Sequence, residues 1–325
     1  MTLLTDKEHI SKLSISRIRE IADSAEPGEE LFALLEQDSR AGVRALASRI
    51  RKCQARDASL RARQEELIAI ERKLSAAGKK GIAGVDEAGR GPLAGPVVAA
   101  AVILPEDLIL PGLDDSKKVS ARRREELYKH ITGKAVAWGI GMADNDEIDE
   151  IGILAAAMKA MRNAVGTMKV EPDIVLVDGN QSPKLTCEEM LVVNGDARCR
   201  CIAAASIIAK VTRDRIMVEM DSLFPGYGFA RHKGYGASFH VAALGEKGPC
   251  TIHRFSFKIV PQVAPPGTVT SILSERLSRA PTREALERVS RGIARIRDNL
   301  AASDLEELRA CYKLCVRRFS DVHHG

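Results

Sequence analysis

The chain has 325 residues, of which 45% are hydrophobic and 29% charged, a balance that is ordinary for a globular protein. It contains no run of about 18 apolar residues, so we expect no membrane-spanning helix and no membrane partner. The seven cysteines are odd in number and lack the paired spacing of a zinc knuckle. These features favour a reducing, cytoplasmic location and exclude a disulfide scaffold.

The net charge of +5 is unevenly distributed. Residues 40–80 contain twelve Lys/Arg and four Asp/Glu, which gives this segment +8 and leaves −3 for the remainder. Such a basic segment on a mildly acidic body is typical of an arm that binds a polyanion. A solvated helix face is the alternative interpretation.

Three regions are predicted along the chain. Apolar residues at helical spacing from Leu46 to Leu74 predict that residues 1–80 form a basic helical N-terminal extension, either a small module or a pair of long helices. Residues 81–260 are expected to form an α/β domain. Three prolines in residues 261–266 open the last region, 261–325, a linker followed by a helical tail.

The middle region predicts a mixed sheet flanked by helices. The first two strands are joined by a short connection and should be antiparallel neighbours, whereas later strands are joined through helices. The five predicted strands are residues 82–87, 96–104, 135–142, 174–177 and 191–193.

Acidic residues follow two of these strands. Asp86 and Glu87 end the first strand and Asp178 follows the fourth, so the three meet at one sheet edge if those strands are neighbours. Adjacent residues of a strand point to opposite faces, so Asp86 and Glu87 can share a pocket only if the chain turns there. Asp214 lies four residues after Lys210 on a predicted helix. The two residues alone are typical of an ordinary helix ion pair, but together with the other acids Asp214 is expected to complete the cluster as a fourth acid.

Such a cluster predicts bound divalent cations. Two carboxylates about 5 Å apart repel by about 3 kcal/mol at an effective dielectric of about 20, so protons or cations must compensate the charge. Carboxylate-only ligands suit Mg²⁺ or Mn²⁺. Two such ions about 3.5–4 Å apart can clamp the attacking and leaving oxygens of a phosphoryl displacement. Lys117 and Tyr235, in predicted loops, offer a cation to phosphates and a ring to a sugar or base. Surface charge for the lysine and half-buried packing for the tyrosine are the alternatives.

Five sequence blocks, in this order, resemble bacterial ribonuclease HII over residues 82–257. They are Gly84-Val85-Asp86-Glu87-Ala88-Gly89-Arg90-Gly91-Pro92, Asp115-Ser116-Lys117-Lys118, Val177-Asp178-Gly179-Asn180, residues 204–214, and His232-Lys233-Gly234-Tyr235. The resemblance implies a ribonuclease H-like fold with a mixed five-stranded sheet. The N-terminal region resembles the extension that some Gram-positive members carry.

The resemblance also implies an activity and its metal ligands. The family cuts the RNA strand of RNA–DNA hybrids and nicks duplex DNA on the 5′ side of single embedded ribonucleotides, leaving a 3′-hydroxyl and a 5′-phosphate. The implied cofactor is Mn²⁺ or Mg²⁺ at a two-ion site. The implied catalytic and metal-binding acids are Asp86, Glu87, Asp178 and Asp214.

The same resemblance implies a set of substrate-binding residues. The loop Gly89-Arg90-Gly91 corresponds to the family's sensor of the 2′-hydroxyl, and Tyr235 to the tyrosine that stacks at the ribose–deoxyribose junction. Lys117 and Lys210 correspond to basic positions facing the substrate backbone or the scissile phosphate. The enzyme is expected to be a monomer, and the sequence indicates no particular protein partner.

Two other functions stay open at this point. A non-catalytic protein that binds RNA–DNA hybrids would not need four acids near phosphates. A general metal-dependent nuclease on the same fold would not need the Gly89–Gly91 loop and Tyr235, because both are expected to read ribose.

Overall fold

The computed structural model describes residues 7–24 and 29–320. Its contacts divide the chain into two compact units, residues 1–66 and residues 67–325. The helical residues from 67 onwards therefore belong to the larger unit. The residues after 260 also belong to it and form no separate unit. Within the described residues, none of the helices combines the length and the apolar character that crossing a bilayer requires.

The first unit is helical and has a small core of its own. Its elements are α1 (Lys7–Lys12), α2 (Ile15–Ser24), α3 (Glu29–Glu36) and the first part of α4 (Ala41–Ala76). Ile10, Ile18, Leu35 and Val43 are buried together. Because hydrogen bonds from Arg40 outweigh burial, they lower the pKa of Asp38 to about 2. The predicted helical character is therefore confirmed here.

The second unit is built on the mixed five-stranded sheet that the sequence predicts. The strand order is β3-β2-β1-β4-β5. The β1–β2 and β2–β3 pairs are antiparallel, and the β1–β4 and β4–β5 pairs are parallel. The strands are β1 (Ile82–Ala88), β2 (Val97–Ile103), β3 (Ala137–Ala143), β4 (Ile174–Asp178) and β5 (Glu188–Val192).

Helices cover both faces of this sheet. α6 (Asn145–Ile151) begins with the capping box of Asp144 and Glu147, and α7 (Ile153–Gly166) packs on one face. The sequence predicts one helix here, but Gly152, at φ +81°, breaks it in two. α5 (Ala121–Lys134) and α8 (Arg200–Leu223) pack on the other face. Gly84 admits the backbone of α8 at Cys201, where a side chain would collide.

Six further α-helices follow α8 in the described part of the second unit. They are α9 (Phe229–His232), α10 (Ser238–Lys247), α11 (Ile259–Val263), α12 (Thr268–Arg279), α13 (Arg283–Ile296) and α14 (Ala302–Ser320). The tail helices share a core with Leu93, Leu244 and Phe255. Arg276 also pairs with Asp146 at 2.8 Å and with Asp149 at 3.3 Å. The C-terminal helices are therefore docked on the sheet-containing part of the chain.

Candidate active site

The parallel pair β1–β4 brings two of the predicted acids together. Val85 and Val177 are register partners, and Asp86 and Asp178 are the next residues on each strand. Side chains alternate along a strand, so Asp178 shares the face of Leu176, which packs with the start of α8. Asp86 lies on this same face, where it interacts with Ser206 of α8. The expected meeting of these acids at one sheet edge is observed.

Glu87 leaves β1 on the opposite face. The strand continues to Ala88, and Glu87 remains in register with Ala99 of β2. The turn begins at Gly89, where the glycines and the proline that follow the two acids predict it, and the φ of Gly89 is +98°. Glu87 therefore reaches the cluster around the end of the strand, and Arg90 holds its carboxylate at 3.2 Å.

Burial and mutual repulsion govern the charge of these acids. Burial raises the pKa of Asp86 well above its usual value, and Glu87 and Asp178 raise it further, against a hydrogen bond from Ser206. Burial also raises the pKa of Glu87; Arg90 opposes this shift and Asp178 adds to it. The site thus concentrates negative charge that lacks full compensation from the protein.

Asp196 is a fourth acid that the sequence analysis missed. The N–H of Gly195 donates to Asp178 Oδ1 at 2.6 Å, which brings the loop after β5 against the cluster. Burial raises the pKa of Asp196, and the charges of Asp178 and Asp115 raise it further. Its one signal in the sequence is position: Asp196 lies in the loop after β5, the strand that pairs with β4, whereas Asp178 ends β4 itself.

Asp214, the predicted fourth acid, lies elsewhere on α8. Its carboxylate accepts from Lys210 at 2.6 Å and lies 3.9 Å from Arg124. It is eight residues beyond Ser206, which contacts Asp86, so about 12 Å of helix axis separate the two positions at about 1.5 Å per residue. The structure does not bring Asp214 together with the other three acids.

The predicted lysines occupy two different environments. Burial opposes the charge of Lys117, but carboxylates at Asp115, Asp196, Asp86 and Asp178 outweigh it and raise the lysine's pKa. Lys117 therefore lies in the field of the acidic cluster. Burial lowers the pKa of Lys210, against its hydrogen bond with Asp214.

The donor chemistry fits a hard divalent cation. Among residues 7–24 and 29–320, no group of three or more His, Cys, Asp or Glu side chains is already arranged around a common point. The available donors are nevertheless carboxylate oxygens. Burial raises the pKa values of Asp86 and Glu87, repulsion from neighbouring carboxylates adds to this shift, and a bound cation would favour the charged forms.

The predicted substrate loop and Tyr235 lie together. Gly91 lies close to the Tyr235 ring, since a Cβ atom added to this glycine would be 3.5 Å from Tyr235 Cε1. Tyr235 is 44% exposed. Leu93 N donates to Gly234 O at 2.8 Å and ties the two loops. Beside Tyr235 lies a groove of about 750 Å³ with Lys210, Arg215 and Lys233 in its lining. An anionic backbone would find both cations and an exposed ring here.

Comparisons with known proteins point to one family. A family model described as "Ribonuclease HII" matches residues 83–260, and "Ribonuclease HII N-terminal domain" matches residues 14–75. Ribonuclease HII of Geobacter metallireducens is 54% identical over 203 residues, covering 62% of this chain and 95% of that protein. Ribonuclease HII of Geobacillus kaustophilus is 50% identical over 232 residues, covering 71% and 89%. The crystal structure of ribonuclease H2 from Pyrococcus horikoshii OT3 is 26% identical with a TM-score of 0.48, covering 56% and 96%.

Proposed function

The chain belongs to the ribonuclease HII family and is a type HII endoribonuclease; from this premise we propose that it nicks duplex DNA on the 5′ side of single embedded ribonucleotides. It also hydrolyses the RNA strand of RNA–DNA hybrids and leaves 3′-hydroxyl and 5′-phosphate ends. The carrying observation is the placement of Asp86 and Asp178 side by side on adjacent parallel strands.

The metal-binding residues of this proposal are Asp86, Glu87, Asp178 and Asp196. Asp196 replaces Asp214 in the set, because Asp196 lies in the field of Asp178 whereas Asp214 is held by Lys210. Two Mg²⁺ or Mn²⁺ ions held here would supply activation of a water and stabilisation of the leaving 3′-oxygen. The chain itself brings the acids together and shields Asp86 from solvent by burying it. It also orients Asp178, because the Gly195 N–H donates a hydrogen bond to the Asp178 carboxylate.

Substrate recognition is assigned to the loop and ring beside the acids. The Gly89-Arg90-Gly91 backbone reads the 2′-hydroxyl, and the exposed ring of Tyr235 stacks against the sugar next to it. Lys117 faces the scissile phosphate from within the acidic field, and Lys210 binds the backbone in the adjacent groove. The basic N-terminal extension adds contacts that are independent of sequence.

Two further assignments complete the proposal. The seven cysteines are all free, and this supports a reducing compartment, which we take to be the cytoplasm. We also propose that the enzyme works as a monomer, since all of the acids named above come from one chain.

A nicking assay tests this function. Two end-labelled duplexes of one sequence are compared, one with a single ribonucleotide and one all-DNA, in Mg²⁺, in Mn²⁺ and in EDTA. We expect one cut on the 5′ side of the ribonucleotide, only with metal and only in the first duplex. Cleavage of the all-DNA duplex would favour a general nuclease. Tight binding without any cleavage would favour the non-catalytic alternative.

A further inference from the structure

Arg254 is a buried arginine that holds the loop after β1 by its carbonyl groups. Its Nε donates to Gly95 O at 2.9 Å and its Nη2 to Gly89 O at 2.7 Å. Its Nη1 donates to both Arg90 O at 3.0 Å and Pro92 O at 2.7 Å. One side chain, distant in sequence, thus organises the carbonyls of the whole segment between residues 89 and 95.

Arg213 of α8 extends the same arrangement. It donates to Pro96 O at 2.9 Å, to Ala94 O at 3.2 Å and to Lys233 O at 3.0 Å. Lys233 precedes Tyr235 by two residues, so Arg213 links the first loop to the loop that carries the exposed ring. The two buried arginines hold both substrate loops from behind.

Peptide geometry converts these inward carbonyls into outward N–H groups. In a planar trans peptide, the carbonyl of one residue and the N–H of the next point in opposite directions. Arg254 binds the carbonyls of Gly89 and Arg90, so the N–H groups of Arg90 and Gly91 point away from the guanidinium. A Cβ atom added at Gly91 would be 3.5 Å from Tyr235 Cε1, so the peptide that joins Arg90 and Gly91 ends beside the exposed ring.

Holding the loop in this way requires a charged side chain to be buried, which is unfavourable. Arg254 has no exposed surface, and its four hydrogen bonds all go to neutral carbonyls. Burial lowers the pKa of Arg254 to about 9, so the guanidinium is still charged at neutral pH. Burial of a cation is unfavourable until its partners compensate it, whereas packing alone would be served by an apolar side chain. The planar fork of arginine is suited to holding several acceptors in fixed directions.

We propose that Arg254 is a positioning residue for ribose recognition, because it fixes the carbonyls of residues 89–95 inward and so presents the N–H groups of Arg90 and Gly91 beside Tyr235. Its side-chain hydrogen bonds go to backbone carbonyls and to none of the metal-binding acids, Lys117 or Lys210. The substrate in this proposal rests on the proposed function, whereas the conformation of residues 89–95 is read from the structure.

The test compares Arg254→Lys with a matched control, Arg200→Lys. Arg200 is also buried and also donates to carbonyls, those of Glu106 and Leu108, but it pairs in addition with the Glu71 carboxylate and lies at the start of α8. Both variants keep a positive charge and lose the fork. For each we would measure kcat and KM on the single-ribonucleotide duplex, the Kd for the all-DNA duplex, and amide hydrogen exchange of residues 89–95. The molar ratio of all-DNA duplex to protein at saturation gives the fraction of molecules that are folded.

In Arg254→Lys we expect kcat per folded molecule to fall about 10- to 100-fold, because a displacement of about 1 Å at a reacting group costs about that much. The KM and the all-DNA Kd should stay within about twofold, since phosphate contacts set them. Exchange at residues 89–95 should become faster. In Arg200→Lys these quantities should match the wild type, even if its melting temperature falls.

The two ways of failing are distinguishable. If the wild-type enzyme does not nick the single-ribonucleotide duplex, the proposed function is refuted whatever the exchange data show. If the wild type nicks it but Arg254→Lys has unchanged exchange at residues 89–95 or unchanged kcat, the role of Arg254 is refuted. Equal losses of kcat in both arginine variants would also refute it, because they would indicate a general effect of buried arginines.

Discussion

Asp86 and Asp178 follow register partners of the parallel β1–β4 pair and therefore lie side by side on the α8 face of the sheet. The Asp86 carboxyl is 5% exposed, and both burial and the neighbouring charges raise its pKa. Without a bound cation, the burial and repulsion of these carboxylates lower the free energy of unfolding. A bound cation removes this unfavourable contribution, which therefore adds to the affinity of the site for metal. Activity and stability should therefore change in opposite directions when Asp86 is altered.

Asp86→Asn tests this opposition. The substitution removes a metal ligand, so we expect cleavage of the single-ribonucleotide duplex to fall at least about 1,000-fold. In EDTA the same variant should be more stable than the wild type, by up to about 3 kcal/mol, because it removes repulsion from Glu87 and Asp178. Nicking rates and urea unfolding in EDTA measure the two effects.

Asp173→Asn is the matched control. Asp173 accepts hydrogen bonds from the N–H groups of Lys80 and Gly81 at the opposite end of β4, and these bonds lower its pKa. Its loss should therefore reduce stability and leave cleavage unchanged, the reverse of the pattern at Asp86. A destabilised Asp86→Asn variant in EDTA would contradict the electrostatic account of the site.

Asp196→Asn and Asp214→Asn decide which residue is the fourth acid. Asp196 lies in the field of Asp178 and Lys117, so its loss should reduce cleavage at least about 100-fold and raise the concentration of Mn²⁺ needed for half-maximal rate. Asp214 is neutralised by Lys210, so its loss should change KM for the duplex more than the metal requirement. Metal titrations of both variants give the answer. A stronger metal effect at Asp214 would restore the assignment made from the sequence.

Local patterns predicted β1, β2 and β4 well because these strands are mostly buried. β5 is largely exposed, and only residues 191–192 of the strand predicted at 191–193 lie within it. The neighbours of Asp86 could be inferred from strand ends alone, and the β1–β4 register confirmed the inference. The helix break at Gly152 was not predicted, since the apolar spacing continues across it and only the positive φ interrupts the helix.

The fourth acid was harder to predict, because helical spacing and spatial proximity are different properties. Lys210 and Asp214 do share a helix face, but they use that face to pair with each other. Asp196 carries no periodic signal of its own, and its place depends on the parallel pairing of β5 with β4. The role of Arg254 is equally invisible in sequence, since four carbonyls converge on it only in the folded chain.

The N-terminal extension predicts a salt effect. Arg49, Lys52 and Arg56 are exposed and share one face of α4. Replacing all three by Gln should weaken binding to an RNA–DNA hybrid and reduce the slope of log Kd against log salt by up to about 3, because fewer counterions are released. Fluorescence anisotropy between about 50 and 200 mM salt measures the slope. An unchanged slope would return this face to the role of a solvated surface.

Removal of the whole extension should stop at residue 66. Glu71 accepts from Arg200 at 2.7 Å and from Cys201 N at 2.8 Å, all within the larger unit. A deletion that included Glu71 would leave the buried Arg200 without its carboxylate, which costs about 3–5 kcal/mol. Loss of binding in such a variant would then report unfolding and not the loss of the arm.

The docked tail predicts a difference between two arginines. Arg276→Gln should lower the free energy of unfolding by about 3–5 kcal/mol, because it breaks a buried pair with Asp149 and leaves the carbonyls of Thr251 and His253 unbound. Arg291→Gln removes a more exposed pair with Glu150, which solvent screens, and should cost much less stability. Urea unfolding and limited proteolysis near Pro265 compare them. Equal stability of the two variants would contradict docking through Arg276.

Two buried histidines predict the response to acid. The N–H of Cys250 donates to His253 Nδ1 at 2.9 Å, and His240 Nδ1 lies 2.8 Å from Tyr235 O, which can only accept. The remaining nitrogens are 3.1 Å apart, so His253 Nε2–H donates to His240 Nε2. Both rings are therefore neutral, and a proton added to either one would break the chain that ends at Tyr235.

Burial lowers the pKa of His253 to about 3, whereas an unfolded histidine has a pKa of about 6.5. Between these values the unfolded chain binds the proton and the folded chain does not, so stability is complete above about pH 6.5 and falls as the pH decreases. From pH 7.0 to 5.5, His253 alone should cost about 1 kcal/mol, and burial lowers the pKa of His240 in the same direction. Urea unfolding at the two pH values should show about 1 kcal/mol less loss in His253→Gln than in the wild type. His130→Gln, at an exposed position, should lose as much as the wild type, and an unchanged loss in His253→Gln would show that other groups control the acid response.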